Sequence, residues 1–473
     1  MIVHLYEPIR RYKFFTKVLR GADNRFHEIE QADNMKMIAF ATVLAAGLVA
    51  DSSLGETLRL KLEPDHDCLL AGAPREVVVK IDLAAMDHKK RARRVPLNLS
   101  VVLDRSGSMA GAKIEKARQA AMELLDHLAP GDIFSFVTYS DSAEVVFAAQ
   151  EIESKEAIKR RIARVHASGS TALYAGVKLG AEEVKKNLSS KRINRVILLS
   201  DGLANVGPSS TRELRQLGNS LSERGISVTT IGVGEDYNED LMAGLAEASD
   251  ANYYYVKDTE KLPEIFAKEL GELMTVVARD VRIEIICPDG VRPMGFIGRP
   301  ERFEGQKGRV QLSHLTAGQD RCVFLRCMVP EGKSEVARVN VSYVDEINGG
   351  ASESVNGSAQ IRFTKDREAA DKSARADVVA QKELLVTAVT KDEALADADA
   401  GHYKQAAQKL SAQATVLGNQ TKDASPEMQS QARQEIENLQ RRSYELQNDQ
   451  YAPSTRKTLQ NESWTYRNGK SSQ

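Results

Sequence analysis

At 473 residues the chain exceeds what one hydrophobic core can hold, so roughly two to four domains are expected. Its 65 basic and 66 acidic side chains leave a formal net charge of −1, which provides no global field for nucleic acid or an anionic membrane surface. The four cysteines, Cys68, Cys287, Cys322 and Cys327, are too few for a disulfide scaffold, and none forms a C-x-x-C pair.

Met1–Asn34 is polar and basic. Met35-Lys36-Met37 then leads into Ile38–Ala50, an uncharged apolar run closed by Asp51. The run has the length of a secretory h-region and is short for a bilayer span. Export is therefore expected for residues 1–50, with the signal-like segment at 35–50. Either the start is Met35 or Met37 and the run is a signal peptide, or it is a short uncleaved anchor behind a cytoplasmic leader. An oxidising compartment would make a disulfide available.

Over residues 51–94, Thr57–Leu62 and Glu76–Leu83 alternate apolar and polar side chains, as strands of an antiparallel sheet do. Pro64, Asp65, Gly72 and Pro74 mark the turn between them. The basic run Lys89–Arg94 has no aromatic residues for base stacking and reads as a solvated linker.

Residues 95–277 alternate strands and helices. Leu97, Leu99, Val101, Val102 and Leu103 form a run apolar on both faces, the pattern of a strand in a parallel sheet. It ends in Asp104-Arg105-Ser106-Gly107-Ser108. Helical spacing follows from Ile114 to Leu128, then strands at Ile133–Tyr139 and Ala143–Ala148 and a helix at Ser154–Val165. The loop His166–Thr171 precedes a helix from Ala172. Val196–Leu199 is a second buried strand and ends in Ser200-Asp201-Gly202. Helices at Ser210–Arg224, Asn238–Ala248 and Glu260–Val277 alternate with strands at Ile226–Ile231 and Tyr253–Val256. The fold class is α/β, a doubly wound, mainly parallel sheet with helices on both faces.

Ligands bind such sheets at the carboxyl ends of the strands. Asp104, Ser106, Ser108, Thr171 and Asp201 fall in loops at that edge. They offer hard oxygen atoms and no soft ligand, which suits Mg²⁺, Mn²⁺ or Ca²⁺. Taken singly, each has a plainer explanation: Ser106 or Ser108 caps the helix near Lys113, Thr171 caps the next helix, and an aspartate forms a turn.

Together these residues resemble the von Willebrand factor A (VWA) domain. Its metal-ion-dependent adhesion site (MIDAS) reads Asp-x-Ser-x-Ser, then threonine, then aspartate. The match is Asp104-Arg105-Ser106-Gly107-Ser108, Thr171 within Ser168–Ala172, and Asp201 within Leu199–Gly202, inside a resemblance covering Val95–Val277. The resemblance implies that Ser106 and Ser108 hold a divalent cation through their hydroxyls, Asp104 and Asp201 largely through water, and Thr171 directly or through water depending on state. One position then stays open for a carboxylate of a partner protein, so the implied function is metal-dependent protein binding or cell adhesion and not catalysis. The alternative is a cytoplasmic scaffold that works with an AAA-type ATPase in assembling or metallating another protein. Enzymatic patterns are missing: no G-x-S-x-G elbow surrounds Ser106 or Ser108, no G-x-x-x-x-G-K-[ST] loop occurs, and His127 and His166 stand apart. Nucleic acid is not expected as a partner, and membrane association is expected only through an N-terminal anchor.

Strands at Asp280–Cys287, Arg309–Leu315, Cys322–Val329, Glu335–Val344 and Ala359–Phe363 make residues 278–364 a β-sandwich, completed by residues 51–94. This arrangement is similar to bacterial and inter-alpha-inhibitor-like members of the family. A disulfide from Cys68 to Cys287, Cys322 or Cys327 would fit it. Cys322 and Cys327 are an odd number of residues apart and face opposite sides of one strand. Over residues 365–448, helices at Ser373–Thr390, Asp392–Leu417 and Pro426–Gln447 read as a helical hairpin region. Residues 449–473 are polar and expected to fray, with Trp464, the only tryptophan, among them.

Overall fold

The apolar runs of the α/β segment become neighbours in one sheet. In the computed structural model, which describes residues 57–87, 94–448 and 451–468, six strands stand in the order Ala143–Glu151, Ile133–Tyr139, Leu97–Asp104, Ile193–Ser200, Ser227–Val233, Tyr253–Val256. The segment 35–50 and residues 89–93 of the basic run lie outside the described residues. Pairing is parallel throughout except at the edge, where Ala143–Glu151 returns antiparallel to Ile133–Tyr139.

Every residue of Leu97–Asp104, Ile133–Tyr139, Ile193–Ser200 and Ser227–Val233 is buried. Val101 and Leu103 point to one face, where helices Ala112–His127, Lys155–Ile162 and Leu262–Met274 cover them. Val102 points to the other, under Leu173–Lys186, Thr211–Ser222 and Glu239–Ala248. Burying each such aliphatic side chain contributes about 1.5–3 kcal/mol. A continuous apolar strand is thus the expected consequence of cover on both faces.

Two antiparallel sheets pack around a separate core. One has the order Leu58–Pro64, Arg75–Ala85, Asp320–Val329, Arg292–Phe296; the other Phe303–Glu304, Lys307–Thr316, Val276–Ile286, Glu335–Asp345, Ala351–Gln360. Arg75–Ala85 pairs with Asp320–Val329, so strands from before and after the α/β segment share a sheet. The strand Ala351–Gln360 has no apolar alternation because it is a mostly exposed edge, Ala-Ser-Glu-Ser-Val-Asn-Gly-Ser-Ala-Gln.

The expected bridge to Cys68 does not form. Cys68 is a free, half-buried thiol on Cys68–Leu70, which pairs with Arg362–Thr364 outside both large sheets. The thiols that meet are Cys287 and Cys327, both in the sandwich core with Sγ atoms 3.7 Å apart. Cys322 packs in a different cluster, as its odd offset from Cys327 requires.

The helical region also departs from expectation. Ala376–Asp399 runs unbroken through Lys391, and the chain turns at Gly401, whose φ of +83° is the left-handed conformation that a helix end favours. Lys391 stays helical because it is buried against Glu435 and Glu462, at 2.6 and 2.7 Å. Tyr403–Gln420 and Pro426–Gln447 follow. The stretch expected to fray instead contains a helix, Pro453–Arg467. Its Trp464 is buried edge-on to Tyr253, with ring centroids 6.0 Å apart, and joins the core of the α/β sheet. Among the described residues no helix is long and apolar enough to cross a membrane.

Candidate metal centre

Asp104 is the last residue of its strand and is fully buried. Its Oδ1 accepts from the Ser106 backbone N–H at 2.8 Å and its Oδ2 from the Ser200 hydroxyl at 2.7 Å. Burial pushes its carboxyl upward; these bonds oppose the shift, and the negative charge of Asp201 adds to it. Tyr139, buried beneath the site, is pushed well above the usual phenol range, first by burial and then by Asp104.

Asp201 follows the neighbouring strand and is also fully buried. Its Oδ1 accepts from Ser108 Oγ at 2.7 Å, and Ser108 Oγ lies 3.0 Å from Ser106 Oγ. Its Oδ2 accepts from Lys113 Nζ at 2.5 Å. Parallel pairing of Leu103 with Leu199 sets these two strand ends side by side.

Thr171 reaches the same place from the third loop. Its backbone N–H donates to Asn205 Oδ1 at 2.8 Å, tying it to the loop after Asp201. Gly202 shows the convergence: a Cβ there would lie 3.1 Å from Thr171 Oγ1 and 3.3 Å from Ser108 Oγ. The Gly107 N–H donates to the Gly169 carbonyl at 2.9 Å, and the Ser168 N–H to the Arg105 carbonyl at 2.6 Å. The first and second loops are therefore fastened through their backbones. Ser106 and Thr171 are buried while Gly107 and Ser108 are exposed, so the cluster opens to solvent on that side.

The structure thus brings Asp104, Ser106, Ser108, Thr171 and Asp201 together. The capping explanation does not hold: neither the short helix Gly107–Met109, nor Ala112–His127, nor Leu173–Lys186 has a side-chain cap bond. Three hydroxyls and two carboxylates fit a hard divalent cation, and the Lys113 ammonium on Asp201 shows that the cluster attracts positive charge. Among the described residues no group of three or more His, Cys, Asp or Glu is placed to hold a metal, so the candidate site rests on hydroxyls together with two carboxylates. His127 and His166 are both exposed, His127 at the far end of its helix. Lys113, Ser200 and Asn205 were not singled out from the sequence. A lysine in a basic amphipathic stretch, a serine and a loop asparagine carry no signal until the strand ends are adjacent.

Residues 98–268 match the family model described as von Willebrand factor type A domain. The chain is 28% identical over 296 residues to the uncharacterized protein sll0103 of Synechocystis sp., covering 59% of this chain and 69% of that protein. It is 29% identical over 222 residues to the uncharacterized protein YfbK of Escherichia coli, covering 46% of this chain and 38% of YfbK. In fold it is similar to a von Willebrand factor type A structure from Catenulispora acidiphila, with a TM-score of 0.66 at 20% identity, over 82% of this chain and 91% of that one. Residues 98–268, with the mostly parallel sheet and the loop cluster at its carboxyl edge, are a von Willebrand factor type A domain.

Proposed function

We propose that this chain is an exported, metal-dependent protein-binding module that grips an acidic side chain of a partner protein. One observation supports the reading above others: five oxygen-bearing residues from three loops converge, open to solvent on one side, and their hydroxyls are not used as helix caps. In this reading Ser106, Ser108 and Thr171 offer neutral hydroxyls to Mg²⁺, Mn²⁺ or Ca²⁺, and Asp104 and Asp201 balance its charge from the buried side. A bound divalent ion supplies an electrophilic centre that a carboxylate can complete. The residues of the chain hold and orient that centre. Ser106 and Ser108 bond each other, and Ser108 donates to Asp201, so in this reading their hydroxyls serve the cation site.

The test is a calorimetric titration of Mg²⁺ and Mn²⁺ into the full chain and its Asp104→Ala variant. Saturable 1:1 binding by the wild type and its loss in the variant are expected. Equal binding by both would overturn the reading.

A further inference from the structure

Lys113 sits in the first turn of Ala112–His127, an unfavourable place for a cation because the amino end of a helix carries partial positive charge. Its ammonium nevertheless reaches across to Asp201 Oδ2 at 2.5 Å. Asp201 is fully buried, and Ser108 takes its other oxygen. Lys113 itself is one-quarter exposed, so its head has a path to solvent. The cluster accordingly already contains a cation, supplied by the chain and held by one of the two carboxylates expected to balance a metal.

We infer that Lys113 is a competing counter-ion of the metal site: it neutralises Asp201 in the absence of metal, loosens the grip on a divalent ion, and leaves the loaded site electropositive toward a carboxylate. This rests on the metal-site reading above. The charge count carries it. Asp104 and Asp201 contribute two negative charges and Lys113 one positive, so a divalent ion takes the cluster from −1 to +1. Without the lysine the loaded cluster would be neutral, and its attraction for an anion correspondingly weaker. Arg105 and Asp141 on the rim offset each other: the guanidinium charge helps hold the Asp141 carboxyl low, after the Ser170 hydrogen bonds that dominate. Like charges a few ångströms apart in a partly desolvated site repel strongly. Removing one of them should tighten metal binding by about tenfold or more.

The experiment titrates Mn²⁺ into the full-length wild type, Lys113→Met, Lys113→Arg and Asp104→Ala, followed by calorimetry and by the electron paramagnetic resonance of free Mn²⁺. Circular dichroism checks that each variant is folded. Lys113→Met is expected to bind Mn²⁺ about tenfold tighter than the wild type, and Lys113→Arg close to it. Acetate, as the simplest carboxylate probe, should bind the Mn²⁺-loaded wild type at several-fold lower concentration than loaded Lys113→Met, after subtraction of the acetate–Mn²⁺ blank. Wild-type binding that is lost in Asp104→Ala, with Lys113→Met no tighter, overturns the role of Lys113 and leaves the site standing. Equal binding by the wild type and Asp104→Ala overturns the site and the lysine's role with it.

Discussion

Four serines of the VWA domain fall into two pairs by what their hydroxyls bond. Ser154 and Ser210 accept from the N–H groups of Ala157 and Glu213 and cap their helices. Ser106 and Ser108 face each other and Asp201. Ser154→Ala and Ser210→Ala should each lower unfolding free energy by about 1 kcal/mol in urea denaturation, with Mn²⁺ binding unchanged. Ser106→Ala and Ser108→Ala should instead cost metal binding at least about tenfold by calorimetry while removing no cap. Gly202→Ala places a methyl against Thr171 Oγ1 and Ser108 Oγ, and is expected to weaken Mn²⁺ binding several-fold with little change in melting temperature. Asp104, Ser106, Ser108, Thr171 and Asp201 could be singled out in the sequence because each sits at or just beyond the end of a readable strand, or just before a readable helix. Lys113 was not, because its partner is 88 positions away and only the parallel pairing brings them together.

Among the elements, buried ones announce themselves and exposed ones do not. Strands buried on both faces have a composition no loop would carry, and their positions followed from it. Ala351–Gln360 escaped notice because a solvent-facing edge is selected for polarity, and its strand character comes from pairing with Glu335–Asp345. The break expected near Lys391 fails for a related reason: a lysine reads as surface until two glutamates are found around it. Cysteine placement gives a sharp test at this scale. Refolding of the reduced, denatured protein in the presence of oxidised glutathione should join Cys287 to Cys327, the two thiols passing their hydrogens to the added disulfide. Peptide mapping without reduction checks this; a bridge from Cys68 as the main product would contradict the placement of the core thiols.

At the scale of the whole molecule, the C-terminal helix Pro453–Arg467 is fastened to the VWA domain by charge as well as by Trp464. Lys457 bonds Glu239 at 2.5 Å, Arg456 bonds Glu239 and Asp240 at 2.6 and 2.9 Å, and Arg467 bonds Glu247 at 2.6 Å. Burial alone would raise the Glu247 carboxyl, but Arg467 and Arg215 more than offset it and hold the carboxyl below its usual range. A carboxylate depressed in the folded state contributes stability above its unfolded pKa, and that contribution is lost as the pH falls through the folded value. Acid should therefore loosen the helix, and a red shift in the emission of the single tryptophan reports it. Arg467→Ala should move that shift to higher pH. The central claim is that three loops at the sheet edge assemble a cation site. Crystals of the full-length protein grown with Mn²⁺ test it most directly. An anomalous difference peak in contact with the hydroxyls of Ser106 and Ser108 is the expected result; Mn²⁺ bound only elsewhere, with those hydroxyls still bonded to each other and to Asp201, would contradict it.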